Sequence, residues 1–413
     1  MSGKKKFKLI LILGLLSAIG PFSIDMYLPG FPAIAADLHT DVAKISLSLS
    51  SFFIGISAGQ MLYGPLIDRF GRKKPLYIGI SVYFIASIGC ALATSADALI
   101  WLRLLQALGS CSGMVASRAM VRDLFPVEEN AKIFSLLMLV VGVSPIIAPT
   151  LGGYLTAEFG WHSVFIALTL MAAVILVAIH FYLPESRKPD PTFSLKPKPI
   201  INGFLGVAKE PQFYTYALTG SIASAGLYAY IAGSPFVFME LYGASEKQYG
   251  WIFAMVAVGL ITSSQVNTLL LRKYKSEQVV VIALLCQSIV AILLFTGTML
   301  GILGLLSTIF LCFTFLSCQG FTFPNTSALS LAPFSRNAGS ASALLGSVQM
   351  GVGAFTSALV SLLSNGTALP MTGVMACCAI ISFSIVMIGG RIIRNRPTVK
   401  ETQEESAEMM ITS

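Results

Sequence analysis

Twelve long apolar segments, separated by polar connections, constrain this chain more than any other feature of its sequence. An apolar run of about 20 residues is long enough to cross the hydrocarbon core of a bilayer as a helix. Only 11% of the 413 residues are charged, whereas soluble domains carry about 25%. The deficit extends over the whole length and indicates many membrane spans. We predict helices at 8–31, 44–64, 76–95, 98–119, 132–156, 161–183, 211–234, 247–270, 278–298, 301–323, 337–363 and 368–391.

The positions of the basic residues predict how these helices are oriented. All but three of the 27 Lys and Arg residues fall at the N-terminus, in alternate connections or in the C-terminal tail, and the exceptions are Lys44, Arg103 and Lys247. Cytoplasmic loops carry an excess of Lys and Arg. We therefore expect a multi-pass protein of the inner (plasma) membrane with both termini in the cytoplasm. The net charge of +8 reflects this topology, and no nucleic-acid partner is expected.

The longest connection divides the chain into two groups of six spans. Residues 184–210 hold five prolines and five basic residues, which predicts an extended cytoplasmic linker. We expect one six-helix bundle at 1–183, a second at 211–391, and a disordered polar cytoplasmic tail at 392–413. The fold class is an all-α membrane protein with twelve transmembrane helices in two six-helix, pseudo-symmetric bundles. Such repeats place a substrate cavity at their interface.

Asp25 is the only charged residue in the apolar stretch 9–36, and Pro29 and Pro32 follow it closely. A charged side chain at membrane depth costs at least about 2.5–3.5 kcal/mol on insertion scales, so such residues are rare and mostly functional. One interpretation is a proton or substrate site inside the bundle. The alternative is that Asp25 lies beyond the end of its helix and meets water.

A polar stripe follows one face of the fourth apolar segment. Arg103, Gln106 and Ser110 recur at three- and four-residue steps, and this spacing places them on the same side of a helix. Such a stripe faces the bundle or a cavity. The alternative for Arg103 is snorkelling to the outer interface. Because Asp25 and Arg103 lie at similar depth, they are predicted to couple protons to substrate, as partners or as alternating charges.

Further polar residues are predicted to line the cavity. Tyr27 follows Asp25 by two residues, and in the second half Gln319 and Asn325 flank a proline. The alternative for the two amides is a set of hydrogen bonds between helices.

The connection between the second and third segments carries a specific motif. The stretch 64–74 resembles the major facilitator superfamily loop signature G-x-L-x-D-R-x-G-R-[KR]. The matching residues are Gly64, Leu66, Asp68, Arg69, Gly71, Arg72 and Lys73. In that family the loop is a cytoplasmic latch between the two halves. The resemblance implies a gate formed by Gly64, Asp68, Arg69, Gly71 and Arg72.

The fifth segment combines two prolines with small residues. Pro145 and Pro149 predict a kinked helix, and Gly152 and Gly153 permit close packing. The segment is similar to the antiporter signature G-x-x-x-G-P-x-x-G-G, which implies export. The alternative is a packing kink without directional meaning.

Four other stretches of the sequence resemble one particular family within this superfamily. Residues 25–32, 117–123, 233–238 and 319–325 are similar to the bicyclomycin-resistance (Bcr/CflA) drug:proton antiporters. The fourth segment also resembles the pattern R-x-x-Q-G-x-G, with Ala107 in place of a glycine, in which the Arg supports proton coupling.

The resemblance implies a monomeric multidrug efflux transporter that exchanges small drug-like compounds for protons and confers antibiotic resistance. Alternatives are a dedicated metabolite or siderophore exporter, or a membrane scaffold or sensor without transport. No metal-ligand spacing, nucleotide-binding loop or catalytic dyad stands out, so we expect no enzyme activity, no metal and no cofactor.

Overall fold

The computed structural model describes residues 3–190, 197–334 and 338–394, and these ranges contain helices and connections without any β-strand. Helices α1 to α7 are Gly3–Asp25, Phe31–Asp37, Val42–Phe70, Lys73–Ala91, Ala96–Leu124, Val127–Phe159 and His162–Phe181. Helices α8 to α14 are Pro197–Ala208, Pro211–Pro235, Glu246–Leu270, Ser276–Met299, Leu305–Leu331, Ala338–Leu362 and Leu369–Arg394. A 3-10 turn at Leu28–Gly30 joins α1 to α2, and a π-helical turn at Phe236–Leu241 continues α9.

Twelve of these helical stretches are long and apolar enough to cross a membrane. The first span joins α1 and α2, and the seventh joins α9 and its π-helical turn. This confirms the predicted number. Several helices are longer than their apolar segments: α3 begins at Val42 and ends at Phe70, beyond the predicted 44–64. The extra turn at its end, residues 65–70, carries Asp68 and Arg69 of the loop motif.

The helices pack as two halves with the same pattern of neighbours. In the first half α5 contacts α1, α3 and α4, and α4 contacts α7. In the second half α12 contacts α9, α10 and α11, and α11 contacts α14. Between the halves α3 packs against α13, and α6 packs against α10. The repeated arrangement confirms the fold class of two pseudo-symmetric six-helix bundles.

The linker is less extended than its prolines predict. Its second part forms α8, in which Pro197 and Pro199 occupy the first turn. Proline is tolerated there because the N–H groups of a first turn have no intrahelical partner. Val207 anchors the end of α8 in an apolar cluster with Phe213 and Ala341. Of the predicted disordered tail, residues 392–394 continue α14, and the remainder lies outside the described residues.

A break in the first span positions the site described below. Helix α1 ends at Asp25, and the chain makes a short turn before α2. Pro29 and Pro32 supply no backbone N–H and so cannot continue the ladder of α1. Helix α6 presses against the break, because a Cβ atom at Gly152 would overlap the carbonyl oxygen of Met26. The close approach requires glycine at that position.

Candidate transport site

The Asp25 carboxylate lies at the boundary between the two halves. It is the last residue of α1, yet only 5% of its surface is exposed. The residue ends its helix, as the second interpretation expects, but its burial does not fit contact with bulk water. Its role as a proton or substrate site stays a prediction. The described residues provide it with no hydrogen bond and no ion pair. Tyr228, Tyr230 and Tyr249 from the second half lie within electrostatic range.

Arg103 is completely buried in α5, which excludes snorkelling to the interface. Its Nη1 donates to Oε1 of Gln106 at 2.6 Å, and its Nη2 donates to the carbonyl oxygen of Ser23 at 2.8 Å. That carbonyl belongs to the last turn of α1, where no intrahelical donor remains and a cation is favoured by the helix dipole. Arg103 therefore holds the broken end of α1 two residues before Asp25, without forming an ion pair with it.

Aromatic rings and a polar network complete the surroundings of Arg103. The guanidinium lies 4.5 Å from the ring centroid of Tyr27 and 4.2 Å from that of Phe52, a cation–π arrangement. Gln106 donates to Ser87 of α4 at 2.8 Å. The Arg103 Nε has no hydrogen-bond partner in the described part of the chain. These contacts connect α1, α3, α4 and α5 through one buried cation.

The second half contains a neutral network at the corresponding helix. Gln319 of α12 donates to Ser224 of α9 at 2.7 Å and accepts from Gln287 of α11 at 3.4 Å. Farther along α12, Asn325 donates to Asn267 of α10 at 2.8 Å. Both predicted amides thus form hydrogen bonds between helices, which was the alternative to lining a cavity.

The five predicted cavity residues are all buried in this conformation. Tyr27 bonds to Ser48 of α3, and the hydroxyl of Ser110 donates to the carbonyl oxygen of Ala107 at 2.9 Å. Gln106, Gln319 and Asn325 are hydrogen-bonded as well, and all five residues bind partners within their own half. Their contact with a transported molecule stays a prediction.

The loop between α3 and α4 forms a compact charged cluster. Arg72 is only 4% exposed; its Nη1 donates to Asp68 at 2.6 Å and its Nε to Asp123 of α5 at 2.8 Å. Burial lowers the pKa of Arg72, but the hydrogen bonds and charges of Asp123 and Asp68 outweigh burial and raise that pKa above its ordinary value. The Arg72 backbone N–H donates to Glu185 at 2.8 Å. Sequence reasoning assigned no role to Asp123 or Glu185, which lie far away in the chain.

The remaining loop residues shape this cluster. Gly71 has a φ of 81°, a left-handed conformation that favours glycine, and the Glu185 carboxylate leaves little room for a Cβ atom. The carbonyl oxygen of Arg69 accepts from the backbone N–H of Asp190 at 3.1 Å. Gly64 has no heavy atom within 4 Å of the position of a Cβ. The Arg72 contacts join the first half to the start of the linker, and a latch to the second half stays a prediction.

The segment with two prolines forms one of the contacts between the halves. Pro145 and Pro149 lie inside α6. A Cβ at Gly153 would approach the carbonyl oxygen of Glu246 to 2.5 Å, and one at Gly250 would approach that of Pro149 to 2.7 Å. Small residues on both helices thus permit the close crossing of α6 and α10.

An ion pair borders this crossing. Lys247 Nζ of α10 lies 2.6 Å from the Glu158 carboxylate of α6. Sequence reasoning missed Glu158, whose pairing depends on the contact between the halves.

The comparisons with known proteins agree with this architecture. A family model described as Major Facilitator Superfamily matches residues 13–358. The chain belongs to the major facilitator superfamily. It is therefore a multi-pass membrane transporter, and the family resemblance predicted from the loop motif is confirmed.

Curated relatives of this superfamily member include drug-resistance proteins. The chain is 34% identical over 383 residues to an uncharacterized MFS-type transporter, YdgK, of Bacillus subtilis, covering 92% of this chain and 94% of the relative. It is 32% identical over 379 residues to a bicyclomycin resistance protein homolog of Haemophilus influenzae, covering 92% and 95%.

A solved structure shares the fold at low sequence identity. A bacterial homolog of the human lysosomal transporter Spinster, in an inward-facing conformation, superposes with a TM-score of 0.75 at 14% identity. The match covers 97% of this chain and 100% of that one.

Proposed function

We propose that this superfamily member is a proton-coupled antiporter that exports small drug-like compounds across the inner (plasma) membrane. Both termini lie in the cytoplasm, and a single chain performs transport. The observation that carries the proposal is the buried Asp25 carboxylate without a partner among the described residues, at the boundary of the halves. The similarity to a bicyclomycin resistance protein homolog supports the class of cargo.

Asp25 is the group that exchanges the proton. An ionised carboxylate in a buried, unpaired position is costly, and a bound proton or a cationic group of the cargo compensates for it. Proton and cargo exclude each other at such a group, so each favours a different conformation of the transporter. Arg103 acts as a positioning residue, because it fixes the end of α1 from which Asp25 projects.

The test is transport by the purified full-length protein in proteoliposomes, with and without an imposed pH gradient. Bicyclomycin and a panel of amphiphilic drugs serve as cargo. We expect the gradient to drive accumulation of several compounds, and Asp25→Asn to reduce this at least about tenfold, since an embedded carboxylate is rarely retained without a function. Gradient-driven transport at the wild-type rate in Asp25→Asn would refute the assignment.

Asp97→Asn is the matched control. Asp97 lies at the start of α5, and its exposed carboxylate pairs with Lys44 at 3.0 Å. This variant is expected to transport normally. Transport of one compound of the panel alone would favour a dedicated exporter over a multidrug one.

A further inference from the structure

Arg118 lies in the inner half of α5 and is accessible to solvent, although Ser117 and Ala119 beside it are buried. Protein nevertheless surrounds its guanidinium on most sides. The side chain is therefore partly enclosed by protein and keeps an accessible surface. The mechanism proposed above gives this cation no role.

The neighbours of Arg118 on α5 define the direction in which it projects. Two turns earlier, Cys111 packs against Gly59 of α3, and one turn earlier, Met114 packs against Gly20 of α1. Ser117 bonds to Ser17 of α1 at 3.0 Å. Arg118 follows Ser117 and lies on the side of α5 between these two contacts. It therefore projects into the space between α1 and α3 rather than toward lipid.

Apolar side chains from three helices surround Cys111, which lies two turns before Arg118 on α5. Leu66 of α3, Val115 of α5 and Met350 of α13 are partly buried and pack around the cluster that contains Cys111 and Tyr63. Val115 is one turn before Arg118 on α5, and Met350 belongs to the second half. The site thus combines one positive charge with apolar side chains from both halves.

Arg118 differs from the two buried arginines, Arg72 and Arg103, in having no acceptor among the described residues. Arg72 binds two carboxylates, and Arg103 binds an amide oxygen and a backbone carbonyl. Across the ranges that the structure describes, Arg118 has neither a hydrogen bond nor an ion pair, and its titratable neighbour is the Cys111 thiol. A cation within a membrane span is expensive and is normally paired, so an unpaired one with an accessible surface points to a ligand.

We propose that Arg118 binds the oxyanion of an amphiphilic organic anion, a carboxylate or phosphate attached to an apolar body. The planar guanidinium matches such groups because it donates two parallel hydrogen bonds. Leu66, Val115 and Met350 contact the apolar body. This assignment of a cargo class rests on the proposed transport function, but it concerns binding and does not require proton coupling.

The distance between Arg118 and Asp25 would also suit a zwitterionic cargo that binds both residues. Ser17 is level with Ser117, and Asp25 is eight residues farther along α1, about 12 Å at the rise of an α-helix. A cargo of that length presents a cationic group to Asp25 and its anionic group to Arg118.

The test measures equilibrium binding to the full-length protein in nanodiscs of phosphatidylcholine, without any pH gradient. The probes are 2-naphthoate, 2-naphthyl phosphate and neutral 2-naphthamide, which share one apolar body. We expect the wild type to bind both anions at least about tenfold more tightly than the amide, because charge-assisted bonds are the stronger ones. Arg118→Gln should remove this preference while leaving the affinity for the amide unchanged.

Three variants make the outcome specific. Arg118→Lys keeps the charge without the planar fork and should retain part of the preference. Arg122→Gln, one turn farther on α5 and exposed at its cytoplasmic end, should retain all of it. Asp25→Asn should also retain it, so failure of the proton site and failure of the anion site give different results. Equal affinities of the wild type for all three probes, or an anion preference that survives in Arg118→Gln, would overturn the proposal.

A further arm distinguishes a soluble anion from a lipid headgroup. In nanodiscs with added phosphatidylglycerol, unchanged affinity for 2-naphthoate supports a small organic anion as the ligand. Competition that disappears in Arg118→Gln supports the same oxyanion site with a lipid phosphate as the ligand.

Discussion

Helices α5 and α12 occupy equivalent places in the two halves, but their polar networks differ in charge. In α5 the network is centred on Arg103, which binds Gln106 and the end of α1. In α12 it is centred on Gln319, which binds Ser224 of α9. Each joins its helix to the first helix of its own half. The neutral amide shows that interhelical hydrogen bonding at this place does not require a cation.

The difference in charge between the two networks distinguishes hydrogen bonds that only hold helices together from charges that serve proton coupling. Helix α12 contains no charged residue, whereas α5 carries a buried cation and lies against the helix that ends in Asp25. A charge in such a position is costly, and a neutral network of the same shape would stabilise the helices with less cost. We infer that the first half retains its charges for proton coupling and that the second half completes the cavity.

The largest effect is expected for Arg103→Met. Methionine fills much of the volume, and transport driven by a pH gradient should fall at least about tenfold because the end of α1 loses its anchor. Loss of the hydrogen bonds leaves Gln106 and the Ser23 carbonyl unpaired, at about 1–3 kcal/mol each. Removal of a buried cation offsets part of that cost. Transport assays and thermal unfolding in detergent measure the two effects separately.

Arg103→Lys is the companion variant. It keeps the charge but cannot bind Gln106 and Ser23 through one rigid fork, so an intermediate loss is expected. Full gradient-driven transport in Arg103→Met would show that the two networks are equivalent and would remove the distinction between the halves.

A smaller effect is expected for Gln319→Ala. The substitution leaves Ser224 without its donor and should lower the free energy of unfolding by about 1–3 kcal/mol. Transport per folded protein should stay within about threefold of wild type, since bonds of this kind contribute modestly to helix association. If Gln319→Ala abolished transport as Arg103→Met does, the second half would also take part in coupling.

The smallest effect is expected at the exposed ion pair of Lys247 and Glu158. Both side chains are exposed, and water and salt screen the pair. Glu158→Gln should change transport by less than about twofold, and this change should vanish at high salt. A strong loss that persists in high salt would indicate that the pair, rather than the packing of small residues, holds α6 against α10.

Much of the fold follows from the sequence because bilayer thickness fixes the length of each span. The apolar segments predict the twelve spans, and the loop motif with Asp68 and Arg72 predicts the family. The polar stripe of α5 also indicates that Arg103 and Gln106 share one face. The predicted extension of the linker was wrong in part, because residues 197–208 form α8, whose Val207 is buried against Phe213 and Ala341.

The partners of the predicted residues could not be read from the sequence. The sequence around Asp25 and around Arg103 is enough to predict that both lie within membrane spans, since hydropathy and helical periodicity depend on neighbouring residues alone. Arg103 binds Ser23, whereas among the described residues Asp25 has no donor and Arg118 has no acceptor. These differences depend on how α1, α3 and α5 cross. Thus the sequence by itself determined the spans and the embedded charges, whereas helix packing decided which charges are satisfied within the protein and which are available to a ligand.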